Sequence, residues 1–367
     1  MPGVILDRIS VTIGKKKILD NISLDVKEGT FVCLLGPTGS GKTTLLKLIA
    51  GFVHPSAGAV YYGSDNMTSV APNKRNVSMV FEDFALYPHM TVFKNIASPL
   101  LAKKLQRQEI ESKVTEVAKF LKIDGLLNRR INQLSGGQMQ RVAIGRALSK
   151  EAKIILFDEI FVNLDYKLRE QMRIEFKALI DKVKLTTIFS SSDPEDAFSL
   201  ADKVAVIHGG KILQYDVKNV VYDTPVDVFT GRYFGYPEMN IIECNIIENN
   251  GSFVLDAGFF QAPIKNKELN EKIKRGGYLM GLRPEHIKIK EGRQEGEVEC
   301  EGTLMLTEVI GSDTVVHIEM GKNTIEVFTP GIYRQPIGKK MCITFDPRKL
   351  YFFESEEKSG QLLGRGV

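Results

Sequence analysis

The sequence predicts an α/β domain, a parallel sheet covered by helices, followed by a small all-β, OB-like barrel domain. Three observations carry this expectation. A glycine-rich loop, GPTGSGKT at 36–43, stands between an apolar strand and a helical run. Apolar, strand-sized segments alternate with helical ones as far as about residue 236, and that alternation implies parallel pairing with ligand chemistry at the carboxyl ends of the strands. Beyond it the chain reads as short strands divided by Gly, Asn, Asp and Pro turns.

Residues 1–35 mix β-branched and polar positions (Val11, Thr12, Ile13; Ile18; Ile22, Leu24, Val26) before the apolar strand Phe31–Leu35. The loop then runs into KTTLLKLIAG. In 108–123, Ile110, Val114, Val117, Ala118 and Leu121 fall on one face of a helix, inside a mainly helical segment at about 83–150. An apolar strand at 154–157 ends in paired acids, and a long helix (about 166–183) and the strand TTIFSSS follow. The strands NIIECNIIENNGSFVLDAG, GYLMGLRPEHIKI, EGTLMLTEVIGSDTVVHIEM and KKMCITFDPRKLYFF build the second domain. The expected domains are 1–236 and 237–355, with 356–367 a loose polar tail.

A length of 367 residues exceeds one ordinary core and suits two domains. A hydrophobic share of 43% with 26% charged residues is that of a soluble globular protein. The net charge of +4 gives little support to a nucleic-acid partner. No apolar run approaches the roughly 18–20 residues that cross a bilayer, and the start MPGVILDRIS has no signal-peptide pattern. A membrane role therefore requires docking onto another chain. Cys33, Cys244, Cys300 and Cys342 lie far apart without CxxC spacing, as expected of buried free thiols.

The loop fits GxxxxGK[ST] in its strand–loop–helix setting. Gly36, Gly39 and Gly41 let the backbone curl, and with Pro37, Thr38 and Ser40 they form a cradle of N–H groups for phosphate oxygens. The following helix dipole points at the same anion. Lys42 is expected to reach the β- and γ-phosphates of ATP, Thr43 to ligate Mg²⁺, and Thr44 to bond the α-phosphate. In IILFDE, Asp158 belongs near the Mg²⁺ shell and Glu159 orients or deprotonates a water. LSGGQMQRVAIGRAL at 134–148 is a second anion-binding helix start. One chain does not need two such sites for one nucleotide, so Ser135, Gly136, Gly137 and Gln138 are read as capping the γ-phosphate on another subunit. A structural cap accounts for Ser135 but not for the whole string.

On these strings the chain resembles the ATP-binding subunits of ABC importers, a P-loop NTPase fold with a helical subdomain, and within them the maltose-type carbohydrate and polyol group. NLD at 163–165 is similar to the family's D-loop, and ALYPHMTVFKNIASPL at 85–100 to the segment after the Q-loop, where permease helices dock. GLRPEHI, EVIGSDTVV and FDPRKLYFF resemble the OB-type regulatory domain. The resemblance implies ATP and Mg²⁺ as cofactors, transmembrane permease subunits and a second ATPase subunit as partners, and indirectly an extracytoplasmic solute-binding protein. It also implies a peripheral position at the cytoplasmic face of the inner membrane and, as cargo, sugars first and polyols second.

Four positions depart from the family. Glu82 stands where the family has the Q-loop glutamine; it keeps an oxygen for the metal, loses the amide donor and adds negative charge. Ser192 stands at the switch histidine, and its short hydroxyl removes a transition-state contact. Ile13 stands at the adenine-stacking aromatic, a loss of about 1–3 kcal/mol by analogy with base stacking. Ile160 replaces a proline. These departures favour a degenerate ATP site whose intact signature string completes a partner's site, over a homodimer with slow hydrolysis. A soluble, non-transport ABC ATPase is disfavoured by the barrel and by the lack of tandem nucleotide domains.

Overall fold

The structure, a computed structural model, describes residues 2–162, 166–249, 252–290, 292, 294–355 and 359–366. The expected D-loop, Asn163, Leu164 and Asp165, lies outside them. The chain divides into two compact units, Met1–Lys218 and Asn219–Val367.

In the first unit the strands are β1 (Val4–Ile13), β2 (Lys16–Val26), β3 (Phe31–Leu35), β4 (Ala57–Tyr62), β5 (Asp65–Asn66), β6 (Val77–Val80), β7 (Ile154–Asp158), β8 (Thr186–Ser191), β9 (Lys203–His208) and β10 (Lys211–Val217). They form an antiparallel sheet of order β2-β1-β4-β5 and a second sheet of order β10-β9-β3-β8-β7-β6. In the second, β9, β3, β8, β7 and β6 run parallel and β10 closes one edge antiparallel. The wholly apolar runs of β3 and the first four residues of β7 are buried, as a parallel sheet covered on both faces requires. Leu45, Leu46 and Ile49 of α1 (Lys42–Ala50) join Val32, Leu34, Leu156 and Ile188 in one core cluster. That packing fixes the start of α1 at the carboxyl end of β3.

Between β6 and β7 lies the expected helical segment: α2 (Val92–Ala102), α3 (Arg107–Phe120) and α4 (Gly136–Ser149). Ile110, Val114, Ala118 and Leu121 are buried, as their spacing predicts. Thr91 caps α2 by accepting the Lys94 N–H. Two further helices, α5 (Tyr166–Val183) and α6 (Pro194–Leu200), follow β7 and β8.

The second unit opens at the start of α7 (Lys218–Asp223), followed by α8 (Val228–Tyr233). It is otherwise β: β11 (Asn240–Asn249), β12 (Ser252–Asp256), β13 (Gln261–Pro263), β14 (Gly276–Leu282), β15 (Ile287–Ile289), β16 (Val298–Ile310), β17 (Asp313–Met320), β18 (Asn323–Pro330), β19 (Lys340–Phe345), β20 (Tyr351–Phe353) and β21 (Leu362–Arg365), with one short helix, α9 (Lys267–Lys272). Two curled antiparallel sheets, β13-β12-β11-β14-β20-β21 and β15-β19-β16-β17-β18, enclose Ile242, Met280, Leu304, Ile318, Ile343 and Phe352. This is the expected small barrel-like domain. Cys33, Cys244 and Cys300 are buried and free, while Cys342 is only half-buried.

Two boundaries differ from the expectation. Segment 219–236 belongs with the second unit, and Arg283 supplies a reason. Its fully buried guanidinium donates to the carbonyls of Tyr222 (2.6 Å), Gly231 and Phe234 (both 3.4 Å) and lies 3.5 Å from the Tyr222 ring centroid. A cation this deep needs acceptors, and it finds them in the preceding segment rather than in a carboxylate. The tail expected to be loose is not, over its described part. Leu362–Arg365 pairs with β20, Leu362 N–H donates to Val226 O and Val228 N–H to Gly360 O, both at 2.9 Å. Leu363 packs on the core. Sequence polarity concealed this because Leu362 and Leu363 are too few to show a period.

Arg283→Ala is expected to destabilise the second unit by about 2–4 kcal/mol, since it strands buried carbonyls that now receive charged donors. Urea unfolding followed by near-ultraviolet circular dichroism of the tyrosines checks this.

Candidate functional site

The phosphate loop is shaped by close approach. A side chain on Gly36 would place its Cβ 2.1 Å from the Ile207 carbonyl oxygen. Gly41 has φ +108°, and a Cβ there would meet Leu19 Cδ2 at 2.7 Å, so both positions require glycine. Gly36 N–H donates to Ser191 O (3.2 Å) and Gly210 N–H to Ser40 O (3.1 Å), which pins the loop between the ends of β8 and β9. Pro37 and Thr44 are half-buried, Ser40 is buried, and Thr38 and Gly39 face outward. The first turn of α1 then offers its N–H groups beside the loop.

The chemistry converges at the carboxyl ends of β3, β7 and β8. Lys42, only 4% exposed, donates to Gly36 O (2.6 Å) and Pro37 O (3.1 Å) and lies 3.0 Å from Glu159 Oε1. Thr43 Oγ1 donates to Asp158 Oδ1 at 2.9 Å. The same carboxylate oxygen accepts from Ser190 Oγ at 2.8 Å. Ser190 Oγ also accepts the Glu159 N–H at 3.1 Å. Glu159 Oε2 takes the Ser192 N–H (3.2 Å) and hydroxyl (3.4 Å). Glu159 sits at φ +48°, an uncommon conformation for a side chain with a Cβ and a mark of a constrained turn.

A second ring of charge holds the end of β8. Asp193 caps α6 by accepting the Glu195 N–H (2.8 Å), with Pro194 in the first turn. Arg173 of α5 donates to Asp196 (2.5 Å), Glu195 (2.7 Å) and Asp193 (2.9 Å), and Arg169 donates to Asp193. Asp196 also accepts from Ser191 Oγ. Burial raises the Asp196 carboxyl above its ordinary value, against the lowering effect of Ser191 and Arg173. Sequence reading missed Ser190, Arg169, Arg173 and Asp196. Asp193-Pro194 carried a readable capping signal, but nothing along the chain links Arg173 to acids 20 or more residues away.

The other expected site residues stand apart from this cluster. Glu82 is exposed in the turn after β6, and no hydrogen bond among the described residues ties it to Thr43, Asp158 or Glu159. Ile13 is exposed at the end of β1, on the hairpin whose Ile18 carbonyl approaches Gly41. Ser135 and Gln138 form a reciprocal capping box at the start of α4, Ser135 Oγ accepting the Gln138 N–H (3.4 Å) and Gln138 Oε1 the Ser135 N–H (3.1 Å). Gly136 and Gly137 fill the first helical positions. Ile160 is buried. After β6, Arg146 donates to Phe84 O (2.9 Å) and Ala85 O (2.7 Å) beside a cleft of about 410 Å³ lined in part by Phe52, Phe81, Tyr87 and Pro99.

Hard cations take oxygen ligands, and Mg²⁺ commonly uses one or two carboxylates with phosphate oxygens and waters. The Thr43 hydroxyl and Asp158 carboxylate, already in contact, are such a donor pair. Their chemistry fits Mg²⁺ held jointly with a nucleotide.

Family models match residues 19–162 as ABC transporter and 280–353 as TOBE domain. The trehalose/maltose import ATP-binding protein MalK of Thermococcus litoralis is 36% identical over 368 residues, 96% of this chain and 98% of that protein. The sn-glycerol-3-phosphate import ATP-binding protein UgpC of Escherichia coli K12 is 34% identical over 351 residues, covering 94% and 95%. Among solved structures, the post-hydrolysis dimer of the ATP-binding cassette MJ0796 bound to ADP and Pi matches 58% of this chain and 98% of its own, at 29% identity and a TM-score of 0.53.

Arg173→Met is expected to cost about 3–5 kcal/mol at neutral pH by leaving Asp196 buried and unpaired. The folded pKa of Asp196 already exceeds its ordinary 3.8. Such a group favours folding fully below the unfolded value, and the contribution fades as pH rises through the folded one. Loss of Arg173 moves the folded value higher still. The deficit against wild type therefore shrinks as pH falls from neutral into the acid range, which urea unfolding at several pH values measures.

Proposed function

The chain belongs to the ABC transporter family as an import-type ATP-binding subunit with a C-terminal TOBE domain, and on that premise we propose that it energises uptake of a sugar or polyol through a membrane permease while its own ATP site turns over slowly. The relatives' names, trehalose/maltose and sn-glycerol-3-phosphate import, support that cargo class. No helix among the described residues is long and apolar enough to cross a membrane, so coupling runs through docking. The cleft beside Tyr87 and Arg146, with Phe52 more than half exposed at its edge, supplies an apolar seat for permease helices. The site then sits peripherally, at the cytoplasmic membrane face.

The loop amides and Lys42 bind the triphosphate, and an arriving γ-phosphate competes with Glu159 Oε1 for the Lys42 ammonium. Once freed from Lys42, the Glu159 carboxylate can accept the proton of an attacking water. Thr43 and Asp158 would hold Mg²⁺, which would supply charge neutralisation at the phosphates. Dimer closure would sandwich each nucleotide between one chain's loop and the other's LSGGQ.

The observation that carries slow turnover is the reach of Ser192. Its hydroxyl and N–H are both directed to Glu159, so it positions the base but extends no imidazole toward the γ-phosphate. At the position where the resemblance has a neutral amide that would orient water, this chain carries the exposed carboxylate of Glu82. A second ATPase subunit, completed by this chain's Ser135–Gln138 segment, then carries most hydrolysis. A homodimer with two slow sites is the competing reading, favoured by the intact Lys42, Thr43, Asp158 and Glu159 cluster.

ATP turnover by the purified chain, alone and mixed with a second ATPase subunit, separates these. The expected outcome is turnover at least about 10-fold lower alone than in the mixture, with the mixture's activity lost on Ser135→Arg here. Strong activity alone with no gain on mixing overturns the degenerate-site reading.

A further inference from the structure

Ser190 is assigned no role by the phosphate-loop, signature or paired-acid motifs, yet its hydroxyl is the link between the two acids. It is 1% exposed and immediately precedes Ser191 at the end of β8. It donates to Asp158 Oδ1 at 2.8 Å and accepts the Glu159 N–H at 3.1 Å. A hydroxyl offers one proton and two lone pairs, and here the proton and one lone pair are spent on the two acids that end β7. The donated bond settles which Asp158 oxygen faces Thr43, because Oδ1 takes both hydroxyls. The accepted bond, which shares the Glu159 N–H with the Ser190 backbone carbonyl (3.3 Å), helps hold Glu159 in its left-handed backbone conformation, from which the side chain reaches Lys42 and Ser192.

We infer that Ser190 is a positioning residue of the nucleotide site, orienting the Asp158 carboxylate toward the Mg²⁺-bearing side of the phosphate loop and fixing the turn that carries Glu159. The inference rests on the reading that this chain binds Mg²⁺-nucleotide at its own loop, and it is independent of how fast that nucleotide is hydrolysed. Partners that orient a ligating carboxylate affect metal affinity by about 10–100-fold when removed. Nucleotide binding without metal would rest on the loop amides and Lys42, to which the Ser190 side chain makes no hydrogen bond among the described residues.

The test uses the full-length chain and a fluorescent ATP analogue, titrated with Mg²⁺ and, separately, measured in EDTA. Ser190→Ala is expected to raise the Mg²⁺ concentration for half-maximal binding by about 10-fold and to leave the EDTA affinity within about twofold. Ser190→Thr, which keeps the hydroxyl and suits a strand, is expected to restore the wild-type Mg²⁺ dependence. An unchanged Mg²⁺ dependence in Ser190→Ala overturns the inference. So does an equal loss with and without metal that Ser190→Thr fails to rescue, because that is a packing defect. If the wild-type chain binds no nucleotide, the proposed function falls as well; if it binds and hydrolyses rapidly, only the slow-site reading falls and the Mg²⁺ comparison still decides the role of Ser190.

Discussion

The site depends on one constraint, the parallel sheet that ends β3, β7 and β8 side by side. Parallel strands deliver their carboxyl ends to one edge, and this order puts the phosphate loop, the paired acids and a run of three serines within hydrogen-bond reach. Asp158 Oδ1 is the knot. It receives Thr43 from the start of α1 and Ser190 from the end of β8, so three segments far apart in sequence meet at one oxygen. Moving any of the three strands by one residue would reverse which face its side chains take and disperse the cluster.

Charge inside this knot is handled by mutual satisfaction rather than by solvent. Lys42 is nearly buried, and an ammonium there needs its three donors occupied. Two loop carbonyls and Glu159 do this. Glu159 in turn has one oxygen on Lys42 and the other on Ser192. The arrangement costs desolvation on both partners, but it leaves a cation whose carboxylate partner a stronger anion can replace. A triphosphate brings more negative charge and more acceptor oxygens than one carboxylate, so the proposed exchange would run toward nucleotide. The Arg173 clasp behind β8 works differently, gathering three acids that would otherwise repel one another at the helix start carrying Asp193.

Much of this was legible along the chain because the chemistry is local. A strand, a loop of fixed length and a helix define the cradle, and Lys42 and Thr43 follow from spacing. Asp158 and Glu159 were legible from an apolar run ending in acids. What was hidden depends on pairing between strands: no periodicity places Ser190 opposite Asp158, which is a matter of the β7–β8 register. Arg283 stands within the readable string GLRPEHI, yet its grip on Tyr222, and hence the earlier start of the second unit, appears only in three dimensions. The strand β21 was hidden because its apolar content is two leucines in a polar stretch, while its pairing is supplied by the open edge of β20.

The signature string illustrates how far a structural explanation can be carried before function is needed. The capping box uses the Ser135 hydroxyl and the Gln138 amide on each other, which explains more of LSGGQ than a simple cap would. It leaves the two glycines. Gly136 and Gly137 occupy the first two helical positions, whose N–H groups have no acceptor within the helix, and Gly137 is buried. A helix needing only stability would favour alanine over glycine. The positive end of a fourteen-residue helix is a place where an incoming phosphate oxygen would find donors. This chain's own phosphate loop already has the first turn of α1 for that purpose, which is why the proposed ligand of the α4 start is a nucleotide held by another subunit.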